Sequence, residues 1–534
     1  MNSNNSSPGS LGLFRPASSA DRISLLRQIG KPLFVTPPGD LVPGTVCSGS
    51  LSQSELSPFS GMVLPYKLEN LGDSTFCRDH GIRFPYVGGS MAKGISSVGM
   101  AEAFGRAGML GFFGAAGLPF DVVEQALNQL QQAKIPFGIN LIHSPNEPEL
   151  EKALVELYLQ KKVKLIEASA FLALTLPIIR YRTHGIYRND AGDVVTPNRV
   201  IAKVSREEVA ARFFAPPPEK YLRQLVAAGD LSAEQAEMAA EIPVAQDVTV
   251  EADSGGHTDN RPALALFPTI LAQKEQFQQT YHYRQKLRVG LGGGIATPAS
   301  AVAAFSMGAA YLVTGSINQA CVESGTCDEV RQMLAETRQA DITMAPSGDM
   351  FEMGVKVQVV KRGTMFSIRA QKLYDLYRAY DSMDQLPADE RDKLEKTFFR
   401  MPLDTIWQQT RDYFSVRDPR QVEKAAADPK YKMALVFRWY LGQSPVWANR
   451  GESSRKIDYQ IWCGPSMGAF NEWTRGSFLE DVTQRKVVTV AYNILFGAAV
   501  LLRANQLKQQ DSRFEFDSEL LSPLDIAQIE EFLR

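Results

Sequence analysis

LRVGLGGGIATPASAVAAFSMGAAYLVTGS, residues 287–316, holds two short apolar runs that each end in glycine, separated by an alanine-rich amphipathic stretch. That order reads as a strand, a helix and the next parallel strand. Gly292, Gly293 and Gly294 follow the first run, and Thr314, Gly315 and Ser316 follow the second. Missing side chains permit close backbone approach, and Pro298 suits the first turn of a helix. Two adjacent strand-end loops therefore offer N–H groups to an anionic ligand such as a phosphate. A dinucleotide fingerprint G-x-G-x-x-G starting at Gly290 fails, because position 295 is Ile295. The plainer alternative, that these glycines only make tight turns, needs a coincidence in both loops.

The same rhythm extends upstream. Candidate strands fall at residues 84–89, 109–114, 136–142, 163–169, 199–204, 247–253, 287–292 and 309–315, with amphipathic stretches such as PFDVVEQALNQLQQAK between them. Eight near-continuous apolar strands fit a closed parallel barrel, so the fold class is α/β, a (β/α)8 TIM barrel whose phosphate loops follow strands seven and eight. Two longer pieces interrupt it, ALTLPIIRYRTHGIYRNDAGDVVTPN before strand five and EKYLRQLVAAGDLSAEQAEMAAE after it; both read as covers. The expected organisation is an N-terminal β-rich or irregular cap over residues 1–80 with a disordered opening decapeptide, the barrel over 81–340, an inserted helical domain over 341–425, and a C-terminal helical region over 426–534 that packs on the barrel.

Composition narrows the function classes. Charged residues make up 22% of the 534 and the formal net charge is −2, which leaves no basic field for nucleic acid. The N-terminus lacks a basic segment followed by an apolar one, so the expected location is the cytoplasm. Five cysteines without a C-x-x-C pair give neither a disulfide framework nor a zinc site, and no metal is expected. The apolar run at 487–502 is interrupted by Tyr492 and Asn493 and reads as a buried helix, not a membrane span.

Strand six runs into Asp253-Ser254-Gly255-Gly256-His257, which places a histidine on the catalytic rim of the barrel behind two glycines. Such an imidazole can hydrogen-bond a carbonyl or transfer a proton near neutral pH. Asp253 reads as a loop cap as readily as an acid or base. Lys203 at the end of strand five can offset negative charge on a ligand or sit in an ion pair in the barrel mouth. Gly89, Ser90 and Met91 after strand one can line a flat ring, and Asn140 ending strand three can meet its edge or close a turn. His80, His143, His184 and His282 show no metal-ligand spacing.

The motifs PYVGGSMAKGISSVGMAEAFGRAGMLGFFGAAG, IPFGINLI, EADSGGHTDN and VGLGGGIATPASAVAAFSMGAAYLVTGS resemble, in order, those of the FMN family of nitronate monooxygenases and flavin-type bacterial enoyl reductases. With MAPSGDMFEMGVKVQVVKRGTMFSIRAQKLYDLY and WCGPSMGAFNEWTRGSFLE, nearly the whole chain resembles the PfaD-type trans-acting enoyl reductases of polyunsaturated fatty acid and polyketide synthases. That resemblance implies FMN across the barrel top, with its phosphate on Gly292–Gly294 and the 314–316 turn. Its ring would lie near Gly89, Ser90, Met91 and Asn140, with Lys203, Gly255 and Gly256 beside it and His257 as the active-site histidine. It further implies NADPH as electron donor, a trans-2-enoyl thioester on an acyl carrier protein as substrate, and a helical insertion akin to one in acyltransferases. Simpler members carry Glu-Ala where this chain has Asp253-Ser254. A nitronate monooxygenase and a non-catalytic scaffold of the synthase remain as alternatives, and a homodimer stays open.

Overall fold

The computed structural model describes residues 19–36, 40–43, 61–143, 147–510 and 517–534. The opening decapeptide and Cys47 lie outside the described residues. Eight parallel strands close into a barrel in the order expected: β1 (Tyr86–Gly88), β2 (Leu110–Phe113), β3 (Phe137–Ile142), β4 (Leu165–Ser169), β5 (Arg199–Val204), β6 (Asp247–Glu251), β7 (Arg288–Gly292) and β8 (Leu312–Thr314). Every strand lies within its predicted window. β8 closes on β1 through the register Leu312↔Tyr86 and Thr314↔Gly88. Buried apolar side chains on both faces make these runs strands: β2 and β4 are buried at every position. Amphipathic helices follow, among them Phe120–Gln132 and Pro298–Ser306, the latter opened by Pro298 and a reciprocal Thr297–Ser300 cap.

The two covers take up regular structure. Leu176–Thr183 is a helix followed by the hairpin Tyr187–Arg188 and Val194–Val195, and Glu219–Ala227 with Ala233–Ala239 forms a helix pair.

The bottom of the barrel is fastened by charge. Arg288 at the start of β7 grips Asp247 at the start of β6 with two hydrogen bonds, Nε to Oδ1 at 2.6 Å and Nη2 to Oδ2 at 3.1 Å, both side chains being at most 2% exposed. His80 Nε2 reaches Asp247 Oδ2 at 2.8 Å, and Arg288 Nη1 reaches Asp79 at 2.7 Å, so the helix Ser74–His80 is tied beneath the strands. Burial alone would raise the Asp247 carboxyl, but Arg288 and His80 hold it far below the usual carboxylate range.

After the barrel the chain does not pass straight into helix. β9 (Ile342–Pro346) and β10 (Lys356–Val360) form an antiparallel hairpin, and β10 also pairs with the two-residue strand Gly256–His257. Val357, Val359 and Phe351 of this hairpin share one apolar core with the helices Phe366–Ala379, Leu403–Arg417 and Pro429–Arg450, through Phe366, Leu373, Leu403, Phe437 and Tyr440. Asp458, fully buried, anchors the same region, accepting from Tyr440 Oη at 2.8 Å and Arg455 Nη1 at 3.1 Å.

The chain divides into two compact units, residues 69–491 and residues 1–68 with 492–534. In the second unit a three-stranded antiparallel sheet, with Leu33–Thr36 between Asp40–Pro43 and Gly61–Val63, accompanies the helix Ser19–Arg27. Arg503 is buried there and donates to Gln28 O at 2.6 Å; burial lowers its guanidinium to about 10. The helix Val487–Gln510 is long and apolar enough to cross a membrane, but 83% of its most apolar window is buried in the protein. Asn493, the polar break noted in the sequence, exchanges two hydrogen bonds with the Leu524 backbone at 2.7 and 2.8 Å.

Removing one partner from a buried pair strands the other charge. Asp247→Ala is expected to cost about 3–5 kcal/mol in urea unfolding at neutral pH. Because the Asp247 carboxyl is depressed in the fold, its contribution in the wild type is present above the unfolded carboxylate pKa and lost as pH falls. The difference between wild type and variant therefore shrinks in acid, and a constant difference down to strongly acidic pH would contradict this account.

Candidate active site

All eight strands deliver their C-terminal ends to one rim, and the predicted residues gather there in two adjoining zones. In the first, Gly293 adopts φ +85° and a Cβ built on it would lie 2.7 Å from the Ala252 carbonyl carbon, so only glycine fits. Cβ atoms built on Gly294 and Gly315 would meet nothing within 4 Å, so both residues open onto free space. Among the described residues the backbone N–H groups of Gly293, Gly294, Gly315 and Ser316 donate to no other group. Free donors around an open space are what a phosphate requires.

The Thr314 hydroxyl is turned away from that space. Thr314 is buried, with Oγ1 3.0 Å from Tyr86 Oη, and Asn318 Nδ2 donates to its carbonyl at 3.0 Å. Ser316 Oγ accepts from Gly464 N at 2.9 Å. Thr314 therefore contributes backbone only, while the Ser316 hydroxyl, accepting from Gly464, still has its own proton to donate. The N–H groups of Ala296 and Thr297 are taken by Ser300 Oγ, each at 3.0 Å.

The second zone is a polar floor across β1, β3, β4, β5 and β6. Gly89 N donates to Thr314 O at 3.0 Å and joins the two zones. Ser90 N donates to Glu167 Oε2 at 2.9 Å, and the Ser90 hydroxyl bonds the same carboxylate. Asn140 Nδ2 donates to Ser90 Oγ and Ser169 Oγ, both at 3.0 Å. Lys203 Nζ sits 3.6 Å from both Glu167 and Glu251. Burial works against the ammonium, but the two carboxylates outweigh it and hold Lys203 above the ordinary lysine value. Of the two readings of Lys203, the ion pair in the barrel mouth is realised. Met91 is half-buried beside this floor, its N–H bonded to Ser96 Oγ at 2.7 Å.

His257 stands above the floor on the short strand that pairs with β10, in the register Gly256↔Gln358 and His257↔Val357. Gly256 takes φ +78° to make that excursion. Gly255 lies so close to Cys463 that a Cβ would fall 2.9 Å from its backbone. His257 Nε2 lies 3.1 Å from both Ser347 Oγ and Asp349 Oδ1, and the ring is 31% exposed. Burial alone would lower the imidazole; Asp349, assisted by Glu251 and opposed by Lys203, raises it above its usual value. Asp253 is a loop fastener, accepting from Gln358 Nε2 and Asn260 Nδ2 at 2.9 Å each. The Cys463 thiol is pushed up to about 12 by burial and is no nucleophile near neutral pH.

Sequence reasoning missed Glu167, Glu251, Ser347, Asp349 and Gln358. The first two had a signal, a carboxylate in an otherwise apolar strand. The other three belong to a stretch about 90–100 residues from the histidine loop they bind. A cavity of about 490 Å³ lined by Ser205, Arg206, Arg261 and Leu266 opens beside β5 and contains none of these residues.

Replacing Lys203 by Met leaves Glu167, wholly buried, and Glu251 uncompensated. The variant should lose stability at pH 8 and regain much of it toward pH 5, where a carboxylate can take up a proton; a pH-independent loss in thermal unfolding would refute the role given to the lysine.

Several known proteins resemble this chain. The inserted helical domain of acyl-carrier-protein S-malonyltransferase matches residues 380–459. One of the polyunsaturated fatty acid synthase subunits of Thraustochytrium sp. is 46% identical over 467 residues, 86% of this chain and 31% of that protein. Polyketide biosynthesis protein PksE of Bacillus subtilis is 42% identical over 84% of this chain and 59% of its own length. The chain thus spans less than two thirds of the length of these curated relatives. The crystal structure of the enoyl reductase domain of MlnA, from the macrolactin cluster of Bacillus amyloliquefaciens, is 39% identical with a TM-score of 0.79, covering 82% of this chain and 99% of that domain. On that end-to-end match the chain belongs to the PfaD-type enoyl reductase family of polyunsaturated fatty acid and polyketide synthases.

Proposed function

We propose that this protein is an FMN-dependent enoyl reductase that uses NADPH to reduce trans-2-enoyl thioesters carried on acyl carrier protein domains of a multienzyme synthase, acting in trans. The observation that carries the reading is a partly exposed imidazole held by Ser347 and Asp349 on the same barrel rim as an open backbone cradle, in a chain matching an enoyl reductase domain over 99% of that domain's length.

The residues present fit the cofactor. A phosphate monoester finds free N–H groups at Gly293, Gly294, Gly315 and Ser316, and a flat ring finds the backbone of Gly89, Ser90 and Met91 beside a polar floor. FMN, when bound, would supply hydride from NADPH to Cβ of the enoyl thioester. The chain's own residues do the rest. The glycines receive the phosphate; Glu167 and Lys203 fix Ser90 and, through it, Asn140. His257 stabilises or protonates the enolate that develops from the thioester. Cytoplasmic placement agrees with a soluble partner of this kind.

Two variants test the reading. Gly315→Ala puts a methyl into the open space without a clash, so the fold should survive while FMN retention falls about tenfold or more; full retention would remove the cradle from the phosphate. His257→Ala should keep yellow FMN and anaerobic bleaching by NADPH but lose most reduction of a crotonyl thioester. Unchanged turnover would overturn the role of the histidine, and flavin that NADPH fails to bleach while a nitroalkane does would favour a nitronate monooxygenase.

A further inference from the structure

The histidine has one ring nitrogen committed and one free. Nε2 lies 3.1 Å from Ser347 Oγ and 3.1 Å from Asp349 Oδ1. Ser347 itself bonds to the Asp349 carboxylate, which can only accept, so the serine proton is spent there. Toward Nε2, Ser347 therefore presents a lone pair and Asp349 a charged oxygen. Both partners accept, and Nε2 carries a hydrogen shared between them. Nδ1 bonds to no other group among the described residues, so it is the nitrogen at which the ring gains and loses its second proton.

We propose that Asp349 is a positioning residue that fixes His257 as an Nε2–H imidazole and keeps its Nδ1 protonated, so that His257 gives the Nδ1 proton to Cα of the substrate. The inference rests on the enoyl reductase reading. Once hydride has been added at Cβ, the enolate electron pair forms the new Cα–H bond with that proton, the Nδ1–H bond breaks, and the neutral ring regains a proton from water. The charges facing the ring come from three elements. Asp349 on the β9–β10 loop and Glu251 at the end of β6 favour the imidazolium, while Lys203 on β5 opposes it. Gln358 and Val357, paired with the histidine strand, carry no charge. Asp349 is thus the dominant support, and the hairpin that carries it is seated in the helical core and paired with the histidine strand.

The test uses the full-length flavin-loaded protein with labelled histidine, whose five histidine signals are followed by NMR and whose His257 signal is assigned by its loss in His257→Gln. Asp349→Asn preserves shape and hydrogen bonding but removes the charge. It should lower the His257 midpoint by about one pH unit or more and move the basic limb of the rate profile for enoyl-thioester reduction down by the same amount, with flavin content unchanged. Asp349→Glu should restore part of both shifts. An unmoved His257 midpoint in an active enzyme would sink the Asp349 assignment alone, as would a rate lowered by one factor at every pH with the limb in place. A wild-type protein that bleaches with NADPH yet reduces no enoyl thioester would sink the reductase reading and, with it, the Cα assignment.

Discussion

The two-residue ladder in which Gly256 and His257 pair with Gln358 and Val357 decides what this barrel can do. A (β/α)8 rim normally leaves its loops to solvent, and a Gly-Gly-His loop on its own has no reason to hold one conformation. Here the loop is made into a strand. Its partner β10 shares an apolar core with three helices, so the imidazole is fixed by the packing of a segment that lies outside the eight repeats. Trp462 and Cys463 continue the same brace, since Trp462 bridges to Val359 and Cys463 N donates to Gln358 O at 3.3 Å. From there Gly464 N reaches Ser316 Oγ, at the end of the 314–316 turn. One connected set of hydrogen bonds therefore runs from the histidine strand to the Gly315–Ser316 turn.

The two ends of the barrel use charge differently. At the bottom, Arg288 and Asp247 are almost wholly buried, share two hydrogen bonds, and neutralise each other in good geometry. At the top, Lys203 serves two carboxylates at 3.6 Å each, and Glu167 Oε1 is buried without a hydrogen-bond partner. The bottom arrangement is what a low-dielectric site tolerates, because both ions are fully paired. The top arrangement is one cation short, a state that proteins keep at functional sites more readily than in structural cores.

The barrel was legible in the sequence because each strand is a short apolar run and the turns after strands one, two, six, seven and eight carry glycine. All eight strands fall inside their predicted windows, and the histidine lies where the count placed it. The glycines were legible for the same reason, and Gly293 shows why: its φ and the nearness of Ala252 leave no alternative residue. What the pattern hid was partnership over distance. KVQVV reads as a strand without naming its neighbour, and nothing in SGD announces that Ser347 and Asp349 close on a ring some 90 residues earlier. Glu167 was hidden differently. In a strand buried on both faces no alternation marks the side that points into the mouth, so one carboxylate in LIEAS passes as an interruption. Thr314 and Ser316 were found for their position, though the Thr314 hydroxyl turns inward to Tyr86 and the Ser316 oxygen accepts from Gly464 N.

The helical insertion takes a different meaning from this geometry. A segment that matches a helical insertion of an acyltransferase is readily pictured as a docking module hung on a barrel. Its core nevertheless includes Phe351, Val357 and Val359, residues of the hairpin that carries the histidine's partners. Loosening that core would free β10, and with it the ladder to Gly256 and His257, without touching a single barrel strand. The packing of the insertion therefore holds the hairpin that pairs with Gly256 and His257 and carries Ser347 and Asp349 to the imidazole.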